Sequence, residues 1–237
     1  MAPPENTVCL LDALPDAVAL LDDAQLERAR ADLQAPLIEY PEGPWSTPPV
    51  AAFDPLAIGV LVVDGLLARH VHLGETTTTE LVGRGDVLGP PDHDREPAFP
   101  AGIEFTVLQH ARMALLDRDV TAALCRWQPA ITSIVTAAVR RSFGLAELLA
   151  VSHLRRVDDR LLVLFWHLAY RFGRVRPEGV SVPLRLTHAT LGRVVGAQRP
   201  SVTTALRQLE EAGIVTRRDG GGWLLHGEPP KDLERVR

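Results

Sequence analysis

The clearest structural signal in this 237-residue chain lies in residues 187–209, which read THATLGRVVGAQRPSVTTALRQL. Thr187 can cap a first helix, and Gly196 can supply the tight turn that separates this helix from a second one. The second helix is predicted to begin at Arg199–Pro200, because proline in the first turn of a helix loses no hydrogen bond. Two short helices joined by a glycine turn predict a helix-turn-helix.

The second of these helices has one apolar and one polar face. Val202, Leu206 and Leu209 recur at i, i+4 and i+7, so they are predicted to be buried. The side chains that this pattern leaves outward are Arg199, Ser201, Thr203, Thr204, Arg207 and Gln208. An amphipathic second helix with arginine, serine and threonine outside is typical of a helix that lies in the major groove of DNA.

A β-hairpin is predicted directly after the second helix. Residues 214–218 and 223–225 flank the sequence Asp-Gly-Gly-Gly, which supplies a turn. A preceding helix is expected from about Asp158 to Phe172. Residues 155–237 are therefore predicted to form a winged helix-turn-helix domain.

Charge is distributed unevenly along the chain. The net formal charge is −5, which as an average argues against a nucleic-acid ligand. Residues 155–237 contain 15 basic and 9 acidic residues, a net of +6, whereas residues 1–154 contain 10 and 21, a net of −11. The positive C-terminal segment is the electrostatic pattern expected of a domain that binds duplex DNA.

Residues 56–120 are predicted to form a small antiparallel β domain. Short β-branched runs alternate with turn signals about 8–12 residues apart, which is typical of a sandwich or barrel. Asp64–Gly65, between two apolar runs, predicts a hairpin turn.

Residues 1–55 are predicted to be a helical and proline-rich lead-in. A short helix is expected after Asp22 or Asp23, either of which can act as its N-cap. The prolines between residues 36 and 55 remove backbone donors and disfavour helix, so this stretch predicts irregular chain.

A heptad pattern follows the β segment, and residues 121–154 are predicted to form a dimerisation helix, helical from about Pro129 to His153. The positions that step alternately by four and three are Ile131, Val135, Ala138, Ser142, Leu145, Leu149 and Ser152. Two interpretations stay open: the helix packs on its own domain, or it pairs with its twin. Pairing is favoured, and it predicts a homodimer.

The order of these predicted elements resembles a known family. An acidic N-terminal region, a small β-roll, a dimerisation helix, a linker helix and a winged helix-turn-helix together resemble the family of the cyclic-AMP receptor protein and the fumarate-nitrate regulator, Crp/Fnr. Residues 186–210 resemble the DNA-binding signature of that family, and Leu66–Leu73 and Gly85–Gly89 resemble its β-roll. The expected fold class is α+β, with a cupin-like antiparallel β-roll, a long dimerisation helix and a C-terminal winged helix-turn-helix.

The resemblance implies a bacterial, sequence-specific transcription regulator that binds a near-palindromic operator as a homodimer, with RNA polymerase as a further partner. It places Arg199, Pro200 and Thr204 where base edges are read, and Arg199 is expected to contact guanine. Pro200 and Thr204 stand where the family has an acid and a second arginine, so the operator need not match the familiar one. The candidate phosphate contacts are Thr187, Ser201, Thr203, Arg207, Arg217 and Arg218, and Arg207 suits either role.

The β-roll is not expected to bind a cyclic nucleotide. By the resemblance, the candidate effector pocket comprises Arg84, Gly85, Asp86 and Gly89. Pro90 and Pro91 follow where a phosphate cassette would open, and prolines have no N–H to offer an anion. Three acidic residues between positions 92 and 96 would repel one. No cofactor is expected, and a small-molecule effector stays unidentified.

A metal site is the alternative hypothesis for the β domain. His70 and His72 lie two apart on a predicted strand and therefore on one face, and Glu75 follows. The spacing loosely resembles the cupin metal motif, which would suit a metal- or haem-sensing regulator, or a cupin-type enzyme fused to a DNA-binding domain. Ordinary strand histidines are the favoured interpretation, with neither metal nor enzymatic activity expected.

The cysteines and the N-terminus suggest a reducing compartment. Cys9 and Cys125 supply neither a disulfide framework nor the four thiolates of an iron–sulfur cluster. The N-terminal apolar stretch contains several aspartates and suits neither a signal peptide nor a membrane span. A cytoplasmic protein with no membrane partner is therefore expected.

Overall fold

The computed structural model describes residues 6–45, 56–89 and 101–230. The chain divides into two compact units, one of residues 1–75 with 80–142 and one of residues 76–79 with 143–237. Within the described residues, no helix is both long and apolar enough to cross a membrane.

The N-terminal unit is built around an antiparallel sheet. Its strands are β1 (Thr7–Cys9), β2 (Gln34–Tyr40), β3 (Gly43–Trp45), β4 (Gly59–Leu73), β5 (Thr76–Gly83), β6 (Val87–Leu88) and β7 (Gly102–Leu116). The strand order is β1-β2-β7-β4-β5, with β3 also paired to β7 and β6 to β4. The helices are α1 (Pro15–Val18), α2 (Asp23–Asp32), α3 (Arg118–Arg126) and the start of α4 (Gln128–Ser152). A 3-10 turn spans Leu10–Ala13.

Both faces of the sheet are buried. On β4, Leu61 and Val63 pack against the N-terminal helices, α3 and the first turns of α4. Val60 and Val62 point to the opposite face and pack with Trp45 and its neighbours. Period-two alternation between two apolar clusters explains why β4 is a nearly continuous hydrophobic run in the sequence.

The prediction of irregular chain after Pro36 is wrong for residues 36–40 and 43–45, because β2 and β3 both pair with β7. The N–H of Leu37 donates to the Asn6 carbonyl at 3.0 Å, on the β1 side of β2. The missing N–H of Pro36 therefore faces the β7 side, where the register only begins at Leu37. Pro36 thus removes no ladder hydrogen bond, and the strand tolerates it. Residues 46–55 lie outside the described part of the chain.

The prediction of a hairpin turn at Asp64–Gly65 is also wrong. β4 runs through this pair without reversing, and its register against β7 shifts between Val62 and Leu67. Gly65 has φ +96°, and a Cβ atom there would lie 2.3 Å from the His110 carbonyl oxygen. The pair therefore marks a bulged bend within a strand, where only glycine fits against the neighbouring backbone. The chain reverses later, after Leu73.

The N-terminal helix prediction is confirmed. Asp22 caps α2, and its side chain accepts a hydrogen bond from the Gln25 N–H while the Gln25 side chain accepts one from the Asp22 N–H. This reciprocal pair is a capping box, which satisfies two backbone donors that the helix leaves open.

The C-terminal unit has the predicted winged helix-turn-helix arrangement. Its elements are α5 (Val157–Phe172), β8 (Arg174–Arg176), β9 (Gly179–Val182), α6 (His188–Val195), α7 (Arg199–Glu211), β10 (Val215–Arg217) and β11 (Trp223–Leu225). The strands form a second sheet in the order β10-β11-β9-β8. Phe165 of α5 packs on Trp223 of β11 with ring centroids 4.9 Å apart. This aromatic pair joins the first helix of the domain to its sheet.

Candidate nucleic-acid interface

The helix-turn-helix is held by local interactions that the sequence signals. The Thr187 hydroxyl accepts a hydrogen bond from the Thr190 N–H at 3.1 Å and caps α6. Gly196 follows α6 with φ 65° and ψ 43°, a left-handed conformation that suits glycine. Both parts of the prediction, the cap and the turn, are confirmed.

An arginine that the sequence analysis missed also holds this turn. Arg160 of α5 donates to the carbonyl oxygens of Val195 at 3.2 Å and Gly196 at 3.1 Å. Its Nε also donates to the Leu154 carbonyl at 2.7 Å. A guanidinium on the last carbonyls of α6 satisfies acceptors that the helix leaves open and complements its dipole. Arg160 therefore attaches the turn between α6 and α7 to α5.

The two faces of α7 divide as predicted. Val202, Leu206 and Leu209 are buried, whereas the exposed side chains are Arg199, Pro200, Ser201, Thr203, Thr204, Arg207 and Gln208. The Thr203 hydroxyl donates to the Arg199 carbonyl at 3.1 Å, and the Thr204 hydroxyl to the Pro200 carbonyl at 3.2 Å. The outer face of α7 is therefore polar along its first two turns.

The wing contains one candidate arginine that is already engaged. Arg218 lies 3.9 Å from a Glu178 carboxylate oxygen and 3.4 Å from the Ser181 hydroxyl. Arg217, the preceding residue, lies over the Trp223 ring with its Cζ 5.8 Å from the centroid. Of the two predicted wing contacts, Arg217 is the one without an acidic partner among the described residues.

Arg185 holds the tip of the wing and was not identified from the sequence. It lies between β9 and α6, and its Nε donates to the Gly220 carbonyl at 3.0 Å. The bonds that bring Arg160 and Arg185 to the interface are not local, since the acceptors at Val195, Gly196 and Gly220 lie 35 or 36 residues away along the chain. Only the tertiary structure brings them to the interface.

The predicted seam lies on α4, which forms the expected long helix from Gln128 to Ser152, whereas residues 121–126 of the predicted dimerisation segment belong to the separate helix α3. Val135, Ala138, Ser142, Leu145 and Leu149 are exposed, and Ile131 and Ser152 are partly buried. Val139 and Phe143 are exposed apolar residues that the heptad prediction did not include. The exposed apolar surface of α4 is therefore wider than the heptad pattern indicates.

The candidate effector residues of the β-roll hold a turn. Arg84 donates to the Asp12 carbonyl, and the buried Asp86 carboxylate accepts from the Gly83 N–H at 2.8 Å. Gly85 has φ +85° between them. Gly89 is exposed at the end of the described segment. Pro90, Pro91 and the acidic residues that follow them lie outside the described residues.

A buried carboxylate next to this turn was missed. Glu80 of β5 is 7% exposed, and its two oxygens lie 2.5 Å from Arg69 Nη2 and 2.5 Å from Arg141 Nε. Arg141 of α4 also donates to the Val87 carbonyl at 2.7 Å. Burial lowers the pKa of Arg141, but the hydrogen bond and charge of Glu80 outweigh this effect and raise it. Glu80 of β5 thus connects the sheet to α4 through its ion pair with Arg141.

The histidines of the metal hypothesis have separate partners. His70 is buried with Nε2 3.2 Å from the Thr106 hydroxyl, and His72 Nε2 lies 3.3 Å from a Glu104 oxygen. Glu75 is exposed in the turn after β4. No group of three or more His, Cys, Asp or Glu side chains is close enough to hold a metal ion within the described segments.

Comparisons with known proteins agree with this architecture. Residues 156–228 match the model of the Crp-like helix-turn-helix domain. The regulatory protein CysR of Synechococcus elongatus is 33% identical over 75 residues, 30% of this chain and 36% of CysR. The global nitrogen regulator of the same organism is 24% identical over 176 residues, 68% of this chain and 74% of that protein.

The similarity in fold extends over nearly the whole chain. A CooA mutant from Carboxydothermus hydrogenoformans has a TM-score of 0.62 at 16% identity, covering 96% of this chain and 94% of that one. The fold and the interface thus define a winged helix-turn-helix protein with an N-terminal β-roll. Residues 156–228 thus form a Crp-like helix-turn-helix domain, and the fold of the chain is similar to that of solved CRP/FNR-family regulators.

Proposed function

We propose that the chain is a homodimeric transcription regulator that binds a near-palindromic DNA operator through α7. The observation that carries this proposal is the outer face of α7, a row of exposed arginine, serine and threonine side chains on a winged helix-turn-helix scaffold. A helix of this kind enters the major groove and presents its N-terminal residues to the base edges.

Arg199 is the proposed base-reading residue. It is the first residue of α7, its side chain is exposed, and no ion pair engages it within the described residues. A free guanidinium at this end of a recognition helix suits bidentate contact with O6 and N7 of guanine. Pro200 and Thr204 lie on the same face and supply apolar and hydroxyl contacts to neighbouring bases.

The phosphate contacts are proposed around this central arginine. They comprise Thr187, Ser201, Arg207, Arg217 and Arg218. Thr203, the remaining candidate, already donates its hydroxyl hydrogen to the Arg199 carbonyl and contacts a phosphate only if this bond is given up. Arg207 lies 3.7 Å from Glu211, but both side chains are well exposed, so the pair is weak and DNA phosphates compete with it easily. Arg217 is the stronger wing contact by a small margin, because Arg218 gives up a long, half-exposed pair with Glu178 and a hydrogen bond to Ser181.

The dimer is proposed to form along α4. Val135, Val139, Phe143 and Leu149 are between 48% and 68% exposed, which is a large amount of apolar surface for one helix. Pairing with a second copy of α4 removes this surface from water. A homodimer has a two-fold axis, and a two-fold pair of helix-turn-helix domains binds half-sites in successive major grooves, about 34 Å apart. RNA polymerase is the proposed partner of the DNA-bound dimer.

Selection of duplexes from a random pool tests this function directly. The purified chain is expected to enrich an inverted repeat with half-sites about 10 base pairs apart, and to bind it as two chains per duplex. The salt dependence of binding reports the number of phosphate contacts. Enrichment of no sequence, or of a single unrepeated site bound by one chain, would contradict the proposal.

A further inference from the structure

His188 links three parts of the proposed DNA interface. It is the first residue of α6, and its Nδ1 lies 2.9 Å from the Thr203 hydroxyl on α7. The Thr203 proton is directed to the Arg199 carbonyl, so the hydroxyl oxygen accepts the hydrogen bond from His188. Nδ1 therefore carries the hydrogen in the neutral imidazole. The lone pair resides on Nε2, for which the described residues offer no hydrogen bond or ion pair.

The charges around His188 are mostly positive. The groups that act on it are Arg217 of β10 and Arg199 and Glu210 of α7. Burial, the largest cause, and then the two arginines lower the pKa of His188 from its ordinary value, and Glu210 opposes them. The imidazole is therefore neutral near pH 7 in the free protein. A DNA phosphate placed among these cations adds a negative charge next to His188 and so favours the protonated imidazole.

We propose that His188 contacts a DNA phosphate through Nε2 and takes up a proton when the protein binds its operator. The phosphate oxygen accepts from Nε2–H while Nδ1–H keeps its bond to Thr203. The contact places His188 of α6 between the base-reading Arg199 of α7 and the proposed phosphate contact Arg217 of the wing. This inference rests on the proposed function, since it assumes that this face binds duplex DNA.

The direction of the pH dependence follows from linkage. A phosphate raises the pKa of His188 in the complex above its value in the free protein, so the complex holds more protons. The affinity for DNA is therefore higher at low pH and is lost as the pH rises through the pKa of the complex. The association constant rises by at most about tenfold per pH unit for each subunit, because each subunit takes up one proton.

The experiment measures the affinity of the full chain for its selected duplex from about pH 5.5 to about pH 8, at several salt concentrations. The wild type is expected to bind more tightly at low pH, with a salt slope steeper by about 0.9 per subunit. In His188→Gln the excess affinity and the extra slope at low pH are both lost. In His188→Arg binding stays tight at high pH, because the cation is permanent.

His226→Gln is the matched control. The Nε2 of His226 also lies 2.9 Å from a threonine hydroxyl, that of Thr216, in the same domain. This variant is expected to keep the wild-type pH dependence. Equal pH dependence in the wild type and His188→Gln, with DNA binding intact, overturns the role of His188 and leaves the proposed function standing. If the wild type binds no duplex at any pH, both proposals fail.

Discussion

Arg199 is the residue on which sequence specificity is proposed to depend most. Replacing it with alanine removes the bidentate contact, so Arg199→Ala should lose about 1–3 kcal/mol of discrimination at one base pair of each half-site. Competition between the selected operator and duplexes substituted at each position measures this loss. Arg174→Ala, on the exposed strand β8, is the control and should keep the wild-type base preference. Unchanged discrimination in Arg199→Ala would assign base reading to another residue.

Arg217 and Arg218 are adjacent, but their surroundings differ. Arg217→Ala should weaken binding to all sequences and reduce the salt slope by about 0.9 per subunit, as expected for one lost phosphate contact. Arg218→Ala should have a smaller effect, because Glu178 and Ser181 already engage this arginine. Titration with operator and random duplex at several salt concentrations measures both. A larger change in slope for Arg218→Ala would reverse this order.

Glu80 connects two elements, β5 and α4, so its removal should lower the free energy of unfolding. Glu80→Ala leaves Arg69 and Arg141 without their shared carboxylate, and breaking a buried ion pair costs about 3 kcal/mol. The urea unfolding transition of the N-terminal unit reports this loss. The control is Asp16→Ala, which removes an exposed pair with Arg140 and should cost less than about 1 kcal/mol. Equal losses in the two variants would mean that Glu80 is not effectively buried.

The whole molecule is proposed to work as a dimer, and α4 supplies the surface. Val135→Glu combined with Leu145→Glu places two charges on the predicted seam, and burying them in a helix pair is costly. Sedimentation should then show monomers. The double variant should also bind the inverted repeat more weakly than the wild type does, because a monomer contacts only one half-site. Leu20→Glu, at a site that is 68% exposed outside α4, is the control and should remain dimeric. A dimer that survives both seam charges would place the interface elsewhere.

The charge of the whole molecule is consistent with this arrangement. The segment from residue 155 onward carries a net charge of +6 and the segment before it −11. The acidic segment repels DNA, so phosphate contacts are expected to concentrate on the C-terminal domain. The net charge of −5 for the whole chain therefore says little about which ligand the chain binds.

The helix-turn-helix could be predicted because its signals are local. Thr187 bonds to the N–H three residues later, and Gly196 adopts its own left-handed conformation. Val202, Leu206 and Leu209 share one face at helical spacing. Each of these interactions spans only a few residues, so a single sequence is enough to predict the helix-turn-helix.

The two wrong predictions in the β domain concern residues whose conformation depends on distant parts of the chain. Pro36 and Asp64–Gly65 carry strong local signals for irregular chain and for a turn, yet both lie in strands. Their conformation depends on β7, which is far away in sequence, and on which backbone groups face it. Long-range pairing overrode the local preference at both sites.

The sequence alone therefore determined the winged helix-turn-helix, its buried face, its outward polar side chains and the long helix α4, because helix periodicity and capping act over a few residues. The tertiary structure alone decided the positions of Arg160, Arg185, Glu80 and the bond from His188 to Thr203. Each of these depends on groups at least 15 residues apart in the chain. Only the packed fold sets such distances, since the chain must close long loops before these side chains meet.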